Sequence, residues 1–372
     1  MHLSEIRLFN FRNLQDRTYQ LSSGVTAIIG DNGQGKSNFI EAISLLSHTR
    51  SFRTNSIDEV IRQKEEGCSV FGLCINKDHS REIGISVDKD GRHSFVDGKE
   101  SSGVSGLLGI LSCITFAPSD LSLVKGSPQI RRRFIDRHVV DMDEGMIKTF
   151  LSYQRAIKQK GALLKSGSAT KDALSAWNKV LSPLAADIIN ARYKLVTELQ
   201  TCLREISVSL FGNPDAVEIK ISGSGKLRLI SGESDVTPEM VFEHLEDGAV
   251  RELARSSTVV GPHRDDLLIS LMGQEAKAFA SQGQSRSIIL ALKIGVIELI
   301  ERITGESPVV LLDDVDSELD KHRREAIFSS IFLKERQIFI TATEFRLPKE
   351  GIFRTYSTYL MQEGSMRLIS DN

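Results

Sequence analysis

Gly30-Asp31-Asn32-Gly33-Gln34-Gly35-Lys36-Ser37 matches the pattern G-x-x-x-x-G-K-[ST] at every constrained position. Glycines at this spacing let the backbone aim successive N–H groups at phosphate oxygens, the lysine reaches the terminal phosphates, and the last hydroxyl helps hold Mg²⁺. With average residue usage the pattern arises by chance on the order of once per hundred chains of this length, so its flanks decide. Upstream, Val25-Thr26-Ala27-Ile28-Ile29 is a short β-rich apolar run; downstream, Phe39, Ile40, Ile43 and Leu46 recur at helical spacing. The loop therefore joins a strand to a helix N-terminus, where the dipole and unpaired N–H groups favour anions. The expected ligand is a nucleoside triphosphate, held by Gly30, Asp31, Asn32, Gly33, Gln34, Gly35, Lys36 and Ser37.

A phosphate loop needs acidic partners. Pro308-Val309-Val310-Leu311-Leu312-Asp313-Asp314 is an apolar strand that ends in two carboxylates. Asp313 is placed to support the metal with Ser37, and Asp314 to orient an attacking water. Further upstream, Ala280-Ser281-Gln282-Gly283-Gln284 precedes a helix whose buried face carries Ile288, Ile289, Leu292, Val296, Leu299 and Ile303. This segment resembles the signature motif of ABC-type ATPases. The resemblance implies that Ser281 and Gly283 of one copy close over the γ-phosphate held by the loop of another. Val315-Asp316-Ser317-Glu318-Leu319-Asp320 resembles the loop that passes between two such sites.

The remaining composition sets limits. The 372 residues, 40% hydrophobic and 26% charged, suit an ordinary soluble globular protein of two domains. The apolar stretches around Leu107–Ala117 and Ile288–Ile300 are short or interrupted by Lys293, and MHLSEIRLFNFRN lacks the form of a secretory signal, so a cytoplasmic protein without a membrane partner is expected. Cys68, Cys74, Cys113 and Cys202 are scattered without a C-x-x-C pair, which argues against a zinc site or a disulfide framework. A net charge of −2 gives no global attraction to nucleic acid, so any DNA contact requires a local patch. Lys125, Arg131, Arg132, Arg133 and Arg137, followed by Lys148, Arg155, Lys158, Lys160 and Lys165, form one candidate; a merely solvated helix face is the other reading.

Along the chain, Ile6, Leu8, Phe9 and Phe11 mark an opening strand, and Cys68–Asn76, Arg81–Asp88 and Arg92–Asp97 read as antiparallel strands. Helices are expected from about Met142 to Phe211, broken near Ser166-Gly167-Ser168, as a helical hairpin. Val217, Ile219 and Ile221 alternate as a strand, with Leu227–Ile230 as its expected partner, and Ala249–Arg255 reads as a further helix. Val309–Leu312, Gln337–Thr341 and Tyr356–Met361 are the closing strands. The nucleotide-binding domain is thus split, residues 1–125 with 250–372, around an inserted helical lobe of residues 126–249 with short strands.

FNFRN near the start, GDNGQGKSN, FAPSDL at Phe116–Leu121, RRRFID at Arg131–Asp136, GPHRDDL at Gly261–Leu267, SQGQ with Arg286, and LLDDV-SELD together resemble the bacterial RecF family over nearly the whole chain. That resemblance implies an α/β fold, an ABC-type ATPase head with a mixed sheet, helices and an antiparallel β-subdomain, and a mainly helical second lobe instead of long SMC coiled coils. It implies ATP and Mg²⁺ as cofactors and Arg12 and Asn13 near the nucleotide. It further implies an ATP-dependent homodimer, gapped or junction DNA, and RecR and RecO as partners in recombinational repair, DNA replication and the SOS response. Asp314 stands where transporter-type ABC ATPases carry Glu, and the strand ending Thr341-Ala342-Thr343 lacks their His, so a weak, DNA-dependent ATPase is expected. A transporter subunit should carry a Gly-Gly signature, and an overcoming-lysogenization-type nuclease a further domain; a non-hydrolysing ATP-binding scaffold is the remaining alternative. His263 and Arg264 either contact nucleotide or organise the turn after Gly261-Pro262.

Overall fold

Alternating apolar residues and tight turns build the first part of the chain as strands. The computed structural model describes residues 1–76, 79–101, 103–223, 227, 235–314, 331, 335–343 and 356–371. Strands β1 (His2–Phe9), β2 (Arg17–Gln20) and β3 (Val25–Ile29) precede the phosphate loop, and α1 (Lys36–His48) follows it. Next come β4 (Gly67–Ile75), β5 (Ser80–Asp88), β6 (Gly91–Val96), β7 (Lys99–Glu100) and β8 (Cys113–Phe116). The order β2-β1-β4-β5-β6-β7 makes an antiparallel sheet. In β4 every second residue is buried, the period of a strand with one face on a core.

The chain then turns helical through α2 (Leu121–Lys125), α3 (Pro128–Met142), α4 (Met146–Lys165) and α5 (Lys171–Phe211). Thr170 caps α5 by accepting from the N–H of Ala173 at 3.2 Å, and Gly212 ends it in left-handed backbone at φ 70°. The hairpin break falls at the Ser166-Gly167-Ser168 segment, as expected. Then follow β9 (Val217–Ser222), α6 (Pro238–Arg255), β10 (Asp266–Leu271), β11 (Gln274–Glu275), α7 (Ala276–Phe279) and α8 (Gln282–Thr304). Of the strand expected at Leu227–Ile230, only Leu227 lies among the described residues, and Val315–Asp320 lies outside them. The last strands are β12 (Val309–Leu312), β13 (Ile338–Ala342), β14 (Tyr356–Gln362) and β15 (Ser365–Asp371).

A second six-stranded sheet has the order β15-β14-β3-β13-β12-β8. Its β14, β3, β13, β12 and β8 run parallel, and β15 returns antiparallel beside β14. β12 and β13 are buried at every residue, as parallel strands covered on both faces must be. Because β3, β13 and β12 lie side by side in one direction, the loop after Ile29 and the carboxylates after Leu312 leave the same edge of the sheet. Phe39 of α1 anchors the helix in the core, edge-to-face with Tyr19 at 5.6 Å and against Phe339 at 6.4 Å.

Contacts divide the chain into two units, residues 1–121 with 286–372, and residues 122–285. The insertion is therefore longer than the expected 126–249. Residues 250–285 join it because β10 pairs with β9 along its full length and packs against α3 and α7. Among the described residues no helix is long and apolar enough to cross a membrane, all four cysteines are buried free thiols, and no His/Cys/Asp/Glu cluster could hold a metal.

Candidate functional site

The site of the first unit grows from the end of β3. Gly35 forms the N-cap of α1 at φ 115°, and a Cβ there would stand 2.9 Å from the Leu14 side chain and 3.0 Å from Asn13 Oδ1, so the position requires glycine on both counts. Lys36, the first residue of α1, folds back over its own loop, donating to the carbonyl of Asp31 at 2.8 Å and to that of Gly30. Burial lowers its pKa, while the charges of Asp314, Asp31 and Asp313 oppose the shift.

Across the same sheet edge, Asp313 is buried and Asp314 turns the chain out of β12 at φ 55°. Thr341, in the neighbouring β13, ties them together: its hydroxyl donates to Asp313 Oδ1 at 2.8 Å and accepts the N–H of Asp314 at 2.9 Å. Burial raises the pKa of Asp313, tempered by hydrogen bonds from Ser37 and Thr341 and by the charge of Arg53. The Ser37 hydroxyl thus lies close enough to favour the charged form of the Asp313 carboxylate, and the two are hard oxygen donors beside a lysine. That donor chemistry suits Mg²⁺ with a bound phosphate chain.

Arg12 and Asn13 divide in role. Asn13 reaches the loop, donating from Nδ2 to the Gly33 carbonyl at 3.1 Å and accepting from Asn38 Nδ2 at 2.7 Å. Arg12 instead forks onto the fully buried Glu41 of α1, at 3.0 and 2.8 Å. Its guanidinium locks the helix behind the loop. Thr341, Glu41 and Arg53 were not singled out from the sequence. The signal for Thr341 was present, since a threonine at the tip of a buried strand beside two carboxylates has a polar task; Arg53 lies in an irregular segment without a pattern to reveal it.

Ser281 and Gly283 belong to the second unit, so they are not among the residues the first unit gathers around the loop. They begin α8 with a capping box: Ser281 Oγ accepts from the Gln284 N–H at 3.1 Å, and Gln284 Oε1 accepts from the Ser281 N–H at 2.8 Å. The helix N-terminus is exposed at Ser281 and Gln282.

Part of the basic stretch is taken up inside the second unit and is not available as a DNA patch. Lys125 is spent on the carbonyls of Ala276, Lys277 and Ala280. Arg131 is buried in a two-point ion pair with Asp266 at 2.7 Å, Arg137 pairs with Asp141 at 3.1 Å, and Lys160 is fully buried against Glu252 at 2.6 Å. RRRFID and GPHRDDL prove to be two halves of one network, completed by Arg192 of α5, which binds Asp136 at 2.7 and 3.0 Å and Asp265 at 3.1 Å. His263 and Arg264 organise the turn: Arg264 donates to the Thr258 carbonyl, and His263 lies between Tyr153 at 2.8 Å and Thr258 at 3.1 Å. FAPSDL is likewise structural, since Asp120 accepts the Ala117 N–H at 2.7 Å and pairs with the buried Lys293.

Comparison with known proteins places these motifs in a lineage. Residues 2–366 match the family described as RecF/RecN/SMC N terminal domain. The chain is 33% identical to the DNA replication and repair protein RecF of Citrifermentans bemidjiense over 98% of its own length and 100% of that protein. With RecF of Staphylococcus epidermidis the identity is again 33%, with the same coverage. Among solved structures, the recombination mediator protein RecF-ATP of the RecFOR pathway aligns at a TM-score of 0.87 and 30% identity, over 99% of this chain and 98% of that one. An SMC head bound to the C-winged helix domain of ScpA shares the fold at a TM-score of 0.56 and 17% identity. With the phosphate loop and the carboxylate pair at one sheet edge, in a chain that matches these relatives over nearly its whole length, the protein belongs to the RecF family, within the group described as RecF/RecN/SMC N terminal domain.

Proposed function

We propose that this protein is an ATP-dependent DNA-binding protein of recombinational repair, in which ATP binding brings two copies together on DNA and slow hydrolysis releases them. The observation that carries the reading is the Thr341 hydroxyl, which binds both the Asp313 carboxylate and the Asp314 N–H at the sheet edge where the phosphate loop begins. Ser37 and Asp313 would hold Mg²⁺, and Lys36 would exchange its contacts with the Gly30 and Asp31 carbonyls for phosphate oxygens. Bound MgATP supplies the γ-phosphate that a signature grips and the bond that hydrolysis breaks. Asp314, fixed through its N–H, orients the water and accepts its proton. Ser281 and Gly283 of a second copy complete the site, their helix N-terminus facing negative charge. The shorter reach of Asp314 relative to a glutamate supports slow turnover.

On the DNA side, the reading rests on α4. That helix has no Asp or Glu, and Lys148, Arg155, Lys158 and Lys165 are exposed along it. Their spacing of seven, three and seven residues gathers them on one side, within about 100° of arc. The named pathway of the RecF-ATP relative supports RecO and RecR as partners, and gapped or junction DNA is the substrate this reading expects. The test is to titrate duplex, single-stranded and gapped DNA with and without ATP. Binding should strengthen with ATP, weaken with salt at a slope of about −0.9 per phosphate contacted, and lose its ATP dependence in Lys36→Ala. Salt-insensitive or ATP-indifferent binding would sink the reading.

A further inference from the structure

The hairpin between β14 and β15 turns at Glu363 and Gly364, both in left-handed backbone at φ 48° and 76°. A two-residue hairpin tip ordinarily leaves peptide groups to water, but here all four backbone polar groups of the tip are taken by two glutamines. The N–H of Gly364 donates to the Gln34 carbonyl at 3.0 Å, and the N–H of Glu363 to Gln34 Oε1 at 2.7 Å. On the other side, the Gly364 carbonyl accepts from the Gln15 N–H at 2.8 Å, and the Glu363 carbonyl from Gln15 Nε2 at 3.2 Å. The fit leaves no spare room. A Cβ on Gly364 would stand 2.0 Å from the Asn13 carbonyl oxygen, and one on Gly30 would stand 2.5 Å from the Met361 carbonyl oxygen.

Gln34 occupies a position that the phosphate-binding pattern leaves unconstrained, so phosphate chemistry does not demand its side chain. The loop around it has Gly30, Gly33 and Gly35 all at positive φ, and a glycine-rich segment loses much conformational freedom when it becomes ordered. We propose that Gln34 and the Glu363-Gly364 tip form a latch that holds the phosphate loop in its binding shape before nucleotide arrives, making Gln34 and Gly364 positioning residues for the nucleotide. The inference rests on the nucleotide reading given above and extends the site to the far end of the chain. Preordering removes from the binding step a cost that a free loop would carry.

The experiment compares wild type, Gln34→Met and Gly364→Ala by titration with a fluorescent ATP analogue, steady-state phosphate release, and amide exchange without nucleotide. Gln34→Met keeps the side-chain length and replaces the carboxamide, and with it the acceptor for the Glu363 N–H, by a thioether. Its Kd and KM should rise about three- to tenfold, with kcat at saturating ATP unchanged and the thermal midpoint without nucleotide within about 2 °C of wild type. Exchange at the Glu363 amide should quicken. Gly364→Ala should bind more weakly still, and if it does not fold, Gln34→Met alone decides. Wild-type affinity in Gln34→Met overturns the latch while leaving the nucleotide reading intact. A wild-type protein that fails to bind the analogue overturns both.

Discussion

At the residue scale, Thr341 is the position on which the site's geometry turns. One hydroxyl serves two carboxylate residues, donating to the side chain of Asp313 and receiving the backbone of Asp314. A hydrogen bond to a charged group is worth about 1.5–3 kcal/mol, and its loss would free both the Asp313 carboxylate and the turn at Asp314. Thr341→Val, which keeps the shape and removes the hydroxyl, should therefore lower ATP turnover by about tenfold or more while analogue binding stays within about threefold. Phosphate release at saturating ATP measures it, and undiminished turnover would show that Asp314 is aimed by something else. Arg12 illustrates the opposite lesson. A residue of a nucleotide-site motif can act through the scaffold, and its fork onto Glu41 secures α1.

At the element scale, the second unit is held by charged and polar contacts between helices. Lys160 of α4 meets Glu252 of α6 at 2.6 Å and Asn178 of α5 at 2.6 Å, so three helices share one buried cation. Tyr153 of α4 meets His263 in the turn before β10, and burial, with the nearby charges of Arg264, Lys160 and Arg132, lowers the His263 pKa to about 4. The neutral ring suits its surroundings, with one nitrogen accepting while the other donates. Between pH 6.5 and about 4 the unfolded chain binds a proton at this site that the folded chain does not, so stability falls as the pH drops through that window. From pH 7 to pH 5 the loss from this one group amounts to about 2 kcal/mol. Urea unfolding at the two pH values should show it in wild type, and the loss should shrink by that amount in His263→Gln; equal pH sensitivity in the two proteins would assign the effect elsewhere.

At the scale of the whole molecule, the motifs that the proposed function assigns to ATP are divided between two units. The phosphate loop and carboxylate pair lie in one, the signature serine and glycine in the other. If the signature acts on a second copy, blocking hydrolysis without blocking binding should hold two chains together. Asp314→Asn in excess ATP is expected to sediment as a dimer, and wild type to return to monomer as ATP is consumed. A monomeric Asp314→Asn protein saturated with ATP would contradict closure in trans.

What the sequence determined by itself was local: the phosphate loop between a strand and a helix, the hairpins of β4, β5 and β6, the long helical hairpin, and the carboxylates after Leu312. Each is written in neighbouring residues through a glycine spacing, a two- or four-residue period, or a turn, and so survives without knowledge of the fold. Its family likeness followed from the order of those motifs. Tertiary structure decided which polar residues met. Arg131 and Lys160 stood among residues that could form a DNA patch or a solvated helix face in a linear count of charges, yet their partners Asp266 and Glu252 lie far along the chain and bury them. Gln34 was expected only as part of the nucleotide-holding loop, until the returning hairpin brought Glu363 and Gly364 against it from more than three hundred residues away. Charge and hydrogen bonding act through space, and only the fold sets those distances.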